Sequence, residues 1–154
     1  MAIYHVSGTT AATAATDQHA IINIWNPHTT KRIRLLEIMI VVFAAPSAGA
    51  GFILRRTTAI GTPGSTVTPT IEHDIERGAA PQSGFTVGLA AFSAQPALAA
   101  GDLGPTWVLP AVTASGIIIP VPRGVVAVPV QGIALVNRAA IAFPACEVTL
   151  IIED

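Results

Sequence analysis

The densest cluster of ionisable side chains is Glu72-His-Asp-Ile-Glu76, followed by Arg77. Written as a strand, it puts Glu72, Asp74 and Glu76 on one face. Three carboxylates so placed are the oxygen ligands that a hard cation such as calcium takes. Written as a short helix, the segment has Thr68 as cap, Pro69 in first position and Gly78 as stop. A chain this apolar also needs a solvated polar patch, and that plainer reading is preferred here. No metal and no cofactor is therefore expected.

The other chemical constellations are incomplete. A cupin-like centre needs two or three histidines and a carboxylate converging inside a barrel. His5, His19, His28 and His73 are scattered and form no His-x-His pair. Gly49-Ala-Gly51 starts like a dinucleotide loop, but Leu54 stands where the third glycine belongs, and the sequence that follows favours strand over helix. Gly61-Thr-Pro-Gly-Ser-Thr66 lacks the lysine of a phosphate loop. No Gly-x-Ser-x-Gly elbow occurs, and Cys146 after Pro144-Ala145 reads as a small buried hydrophobe. The chain is not expected to be an enzyme.

Composition narrows the remaining classes. Charged residues make up 11% of the 154 positions and hydrophobic residues 51%. An average soluble protein has about 25% charged residues. So little charge cannot cover a lone subunit, so part of the exterior is expected to be buried against something. The net charge is −1 and Lys31 is the only lysine, so there is no field to attract a phosphate backbone and no nucleic-acid partner is expected. The single cysteine excludes an internal disulfide. The start, Met1-Ala-Ile-Tyr-His5, lacks signal-peptide features, which points to an intracellular origin. Leu35 to Leu54 has the length of a membrane span, but Glu37 and the Pro46–Gly51 turn interrupt it, and no membrane is expected.

The elements that would position any site read as strand almost throughout. Short apolar runs occur near residues 1–8, 20–25, 33–43, 51–58, 85–93, 107–109, 117–119, 125–128, 133–136 and 147–153. Proline and glycine turns separate them. Eight to ten short strands with regular turn signals predict an all-β single domain, a jelly-roll type β-sandwich. Residues 1–17 are read as an N-terminal strand and a loop or mobile arm, the alternative being an arm that docks on a neighbouring subunit, and 18–154 as the sandwich. Asn26-Pro27 is read as the turn of a hairpin. Trp25 is assigned to the core.

The stretch that organises the rest is Lys31 to Phe43. Strict alternation places Ile33, Leu35, Glu37, Met39, Val41 and Phe43 on one face. Arg34, Leu36, Ile38, Ile40 and Val42 fall on the other. Both faces are apolar, so both must be covered. One cover is the core; the other is expected to be a second subunit, meeting Ile33, Leu35, Glu37, Met39 and Val41. Glu37 needs a cation, for which Arg55 or Arg56 on an adjacent strand is the candidate, within or between subunits.

The run from Gly116 to Asn137, the Trp25-Asn-Pro27 turn and a last strand ending Glu153-Asp154 together resemble the small jelly-roll decoration, or cement, proteins of tailed-bacteriophage heads. The likeness is one of style over most of the chain, and no functional residue is carried over with it. It implies a homotrimer on the capsid exterior of the virion, bridging neighbouring major capsid protein subunits. Tyr4, His5 and Trp107 are the candidate capsid contacts. The alternatives are a tail, fibre or minor shell component, or a carbohydrate-binding or cupin-like β-barrel. A sugar site would need an exposed aromatic platform, for which Trp107 and Tyr4 are the candidates.

Overall fold

The structure, a computed structural model, describes residues 3–45, 48–67, 70–71, 84–112, 115–138 and 140–153. Within them the chain forms β1 (Ile3–Thr10), β2 (Ala20–Asn26), β3 (Ile33–Val42), β4 (Ala50–Thr57), β5 (Ser65–Val67), β6 (Thr70–Ile71), β7 (Thr86–Leu89), β8 (Leu98–Asp102), β9 (Trp107–Leu109), β10 (Ser115–Ala127), β11 (Gln131–Asn137) and β12 (Cys146–Glu153). The Leu35–Leu54 stretch is β3, a turn and β4. Among the described residues no helix is long and apolar enough to cross a membrane.

The strands make two antiparallel sheets. The front sheet runs β10-β3-β12-β1-β6. The back sheet runs β5-β7-β2-β11-β4-β8, with β9 also beside β4. The pairings β1 with β12, β2 with β11, β3 with β10 and β4 with β9 are nested like the arms of one long hairpin. Successive arms fall in alternate sheets, and the roll then brings β12 beside β3 and β11 beside β4. This is jelly-roll connectivity. It corrects the expected Trp25–Pro27 hairpin: β2 lies in the back sheet and β3 in the front, so the turn between them changes sheets.

Inward residues of both sheets fill one core. Tyr4 meets Phe85 edge-on at 5.2 Å. Phe52 meets Phe143 edge-on at 5.5 Å and stacks on Trp107 at 5.9 Å. Ile38, Ile40, Val148 and Leu150 are the front sheet's share. The back sheet is covered outside as well: Ala90, Phe92 and Leu98 fold over Ala20, Ile53, Ala134 and Val136. Polar groups on that covered face pair with each other. Thr57 Oγ1 donates to Asn23 Oδ1 at 3.0 Å, and Asn23 Nδ2 donates to the Ile60 carbonyl at 2.8 Å. Trp25 is half-buried and outside the core cluster, contrary to its assignment.

β3 departs from strict alternation. Leu35 is paired with Ile152 and Glu37 with Ile151, which leaves Leu36 as a bulge. On its other side Glu37 faces Pro120 and Leu35 faces Val125. The ladder breaks there because Pro120 and Pro122 have no N–H to donate, and because Gly124 turns at φ +67°. Past the bulge the phase inverts. Ile33 and Leu35 point inward with Ile38, Ile40 and Val42, and only Glu37, Met39 and Val41 remain on the outer side.

The N-terminal segment, read as a strand followed by a loop or arm, begins with β1. β1 pairs with β12 along its whole length, inside the front sheet. The Thr/Ala run that follows is tied down: Ala11 N–H donates to the Ala90 carbonyl at 3.1 Å and Thr13 N–H to the Phe143 carbonyl at 3.0 Å. Thr13 Oγ1 accepts from Phe143 N–H at 2.9 Å.

At the β2–β3 corner Asn26 is fully buried. Its Nδ2 donates to the Lys31 carbonyl at 2.9 Å and reaches the Ala127 and Val128 carbonyls at 3.3 and 3.4 Å. Its Oδ1 accepts from His28 N–H at 3.2 Å. One side chain thus joins two turns that are distant in sequence. Replacing Asn26 by alanine strands these buried groups and is expected to cost about 2 kcal/mol. The check is a lower urea midpoint at unchanged slope.

Candidate functional site: the outer face of the front sheet

The register of β10, β3, β12 and β1 builds an outer face in rows. Val41 lies between Gly116 and Glu147, with Thr9 beyond. Met39 lies between Ile118 and Thr149, with Ser7 beyond. Glu37 lies between Pro120 and Ile151, with His5 beyond. The β10–β3 half of the face is apolar, and Ile118 is 59% exposed there. The β12–β1 half is polar, with Ser7 and Thr149 hydroxyls 2.7 Å apart. Arg34 closes one end by donating from Nη1 to Glu153 Oε2 at 3.0 Å. β10 is the last strand of the sheet, so its far edge is unpaired among the described strands.

Of the predicted interface residues, Glu37, Met39 and Val41 meet on this face, half-buried. Ile33 and Leu35 do not, since each is 1% exposed and belongs to the core. Arg55 and Arg56 sit on β4 in the back sheet, so neither is on a strand adjacent to Glu37. Arg55 is engaged elsewhere: Nη1 donates to Gln18 Oε1 at 3.0 Å, Nη2 to the Ala99 carbonyl at 2.7 Å, and Nε lies 3.3 Å from Asp102 Oδ1. Asp102 also holds Arg138 at 3.5 Å. Arg56 Nη1 donates to the Val126 carbonyl at 2.8 Å, which ties the two sheets together at one end.

The candidate capsid contacts part company in the same way. Tyr4 is 1% exposed and packs in the core. His5 is on the outer face, in the Glu37 row. Trp107 is half-buried against Phe52 on the edge strand β9. Glu72, Asp74 and Glu76 lie outside the described residues. The residues that sequence reasoning missed are Ile118, Pro120 and Ile151. Alternation already grouped Ile151 with Glu147, Thr149 and Glu153, but nothing local shows which strand lies opposite.

Among the described residues no other location assembles reactive groups, and no three of His, Cys, Asp and Glu converge. His19 borders a small cavity of about 100 Å³ with Thr13, Ala14, Ala20, Ala91, Phe92 and Gln95. That is room for a few waters. Gln95 Oε1 is occupied there by Ala20 N–H at 2.8 Å. Comparison with family models, curated proteins and solved structures returns no match.

Cys146 is buried beside Thr10 Oγ1 at 3.2 Å. Burial pushes its thiol from the ordinary 9.0 up to about 11, against a small opposing effect of the Thr10 hydrogen bond. The folded thiol holds its proton where the unfolded one loses it. Stability from this group is therefore complete below pH 9.0 and is lost progressively as pH rises toward about 11. Two outcomes follow. A disulfide reagent at mildly alkaline pH leaves the native thiol unmodified and labels it fully in denaturant. Cys146→Ala flattens the fall of the urea midpoint across that alkaline window.

Proposed function

We propose that the chain is a structural protein of a virus particle: a decoration subunit on the exterior of a tailed-bacteriophage head. It acts as a homotrimer that bridges neighbouring major capsid protein subunits. The observation that carries this reading is the outer face of the front sheet, where Ile118 and Pro120 are exposed beside half-buried Met39, Val41 and Ile151, while among the described residues the back sheet carries its own cover. Exposed apolar surface of this extent marks an association surface.

The jelly roll supports the reading without deciding it, since the same architecture serves capsid proteins, lectins and cupins. The interior distinguishes among these. Among the described residues the core is mostly Ile, Leu, Val and Phe, and Tyr4 and Cys146 are not joined there by the histidines and carboxylate that a cupin metal takes. A sugar platform would need Tyr4 or Trp107 laid open, and the first is buried while the second stacks on Phe52. A decoration subunit works through added contact: each boundary it spans must be broken before the shell yields. A filled, rigid sandwich with one adhesive face suits that work.

The test uses the full chain. Native mass spectrometry is expected to give three times the 15.8 kDa subunit mass, and the oligomer is expected to co-sediment with phage heads lacking their own decoration protein. Ile118→Asp places a charge on the exposed face and leaves the core untouched. It should keep the unfolding free energy from urea titration within about 0.5 kcal/mol of the parent while losing the oligomer. A chain that stays monomeric at high concentration and ignores the particles would overturn the proposal.

A further inference from the structure

Four charged side chains around the outer face make no ion pair among the described residues: Lys31, Arg32, Glu37 and Glu147. They are sorted by position. Lys31 and Arg32 are exposed and stand where the chain enters β3. Glu37 is in the middle of β3 between Pro120 and Ile151, and Glu147 faces Val41 near the far end. The face is thus basic at one end and acidic across its middle and other end.

The basic end is also a built corner. Asn26 Nδ2 fixes the Lys31 carbonyl and the Ala127–Val128 backbone. Val130 N–H donates to the His28 carbonyl at 3.1 Å, which brings the second turn beside the first. Val130 is 53% exposed there. The corner therefore presents an apolar side chain beside two cations. Glu37 and Glu147 present the reverse arrangement, two anions on an apolar ground. The complement that the face requires is carried by the chain itself.

We propose that in the homo-oligomer the outer face of one front sheet receives the Lys31–Arg32–Val130 corner of the next copy, with Glu37 and Glu147 paired to the incoming cations. This deepens the reading above and rests on its self-association. The contact joins two different patches head to tail, so a closed ring such as a trimer satisfies every subunit. The face is large enough. The strands β1 and β12 of 8 residues, β3 of 10 and β10 of 13, about 4.8 Å apart and about 3.3 Å per residue, give roughly 600 Å² on one side. With an equal area from the partner, that reaches the roughly 1,200 Å² where specific interfaces begin. Burying Glu37 between Pro120 and Ile151 without a cation would be costly, so a neutral partner surface is disfavoured.

The experiment is charge reversal read by native mass spectrometry and sedimentation, with the urea midpoint as the fold control. Glu37→Lys with Glu147→Lys, and separately Lys31→Glu with Arg32→Glu, should each raise the dissociation constant about tenfold or more. The chain with all four reversals should recover assembly. Should a reversal fail to fold, Glu37→Gln keeps the side-chain shape and should still weaken assembly. If a folded pair of reversals leaves the oligomer unchanged, or if the fourfold variant folds and stays monomeric, the contact is wrong. Binding to phage heads is scored separately. Loss of particle binding with the reversal pattern intact sinks the decoration reading and not this interface; the opposite result does the converse.

Discussion

A strand that is apolar on both sides has to be covered on both sides, and a two-sheet sandwich supplies only half of that cover by itself. The inner faces bury each other; the outer faces need something else. In the back sheet the chain provides it. After β7 it folds Phe92 and Leu98 over Ile53, Ala134 and Val136 before returning as β9. Among the described residues nothing comparable is found at the front. Its connections, such as the Ala11–Thr13 crossing held to Ala90 and Phe143, join one sheet to the other. Among the described residues, no loop packs across β3 and β10 as Phe92 and Leu98 do across the back sheet. The asymmetry between the two outer faces follows from connectivity, and the functional reading follows from the asymmetry.

The bulge at Leu36 decides what that open face contains. Without it Glu37 would share the inward phase of Ile33 and Leu35 and place a carboxylate in a core of Ile, Leu and Phe. Burying an unpaired carboxylate costs several kcal/mol or forces it to take a proton. One extra residue moves Glu37 outward and brings Ile38, Ile40 and Val42 inward. The irregular half of β10 accommodates the slip. Pro120 and Pro122 are tolerated because β10 is an edge strand among the described strands, where an interrupted ladder costs the sheet least. They also discourage indefinite strand addition at that edge. The same stretch therefore permits the bulge and limits the wrong kind of association.

The strand content of the chain was legible because alternation and turn residues are local. Ala20–Trp25, Trp107–Leu109 and Glu147–Glu153 each lie within a residue or so of β2, β9 and β12. The jelly roll was legible from strand count and turn spacing, without the pairing. What was illegible depends on partners far away in the sequence. The inversion at Leu36 is set by Ile151, Ile152 and the Pro-Gly stretch of β10, more than eighty positions away. The Asn26-Pro27 turn looked like a hairpin because a sheet-changing corner uses the same turn residues. Whether Asn26 bonds within its own turn or to Ala127 appears only once the roll is closed. Arg55 and Arg56 were matched to Glu37 on sequence proximity, and the roll puts them in the opposite sheet.

Scarce charge makes the placement of each charge matter more. Apolar contact is non-directional, so a smooth oily face can bind in several registers and to several partners. A few ionised groups at its margins remove most of those options, because every wrong register leaves a desolvated ion without its counterpart. Arg34 and Glu153 satisfy each other and so carry no such information. Glu37 sits among apolar neighbours, with its row continuing to His5 on β1, and it loses water when the face is covered. In the proposed interface, that position would make the face selective for a partner that brings a cation to that row. A chain with ample surface charge would dilute this selectivity. In this one, the scarcity of charge that motivates the proposed association would also sharpen it.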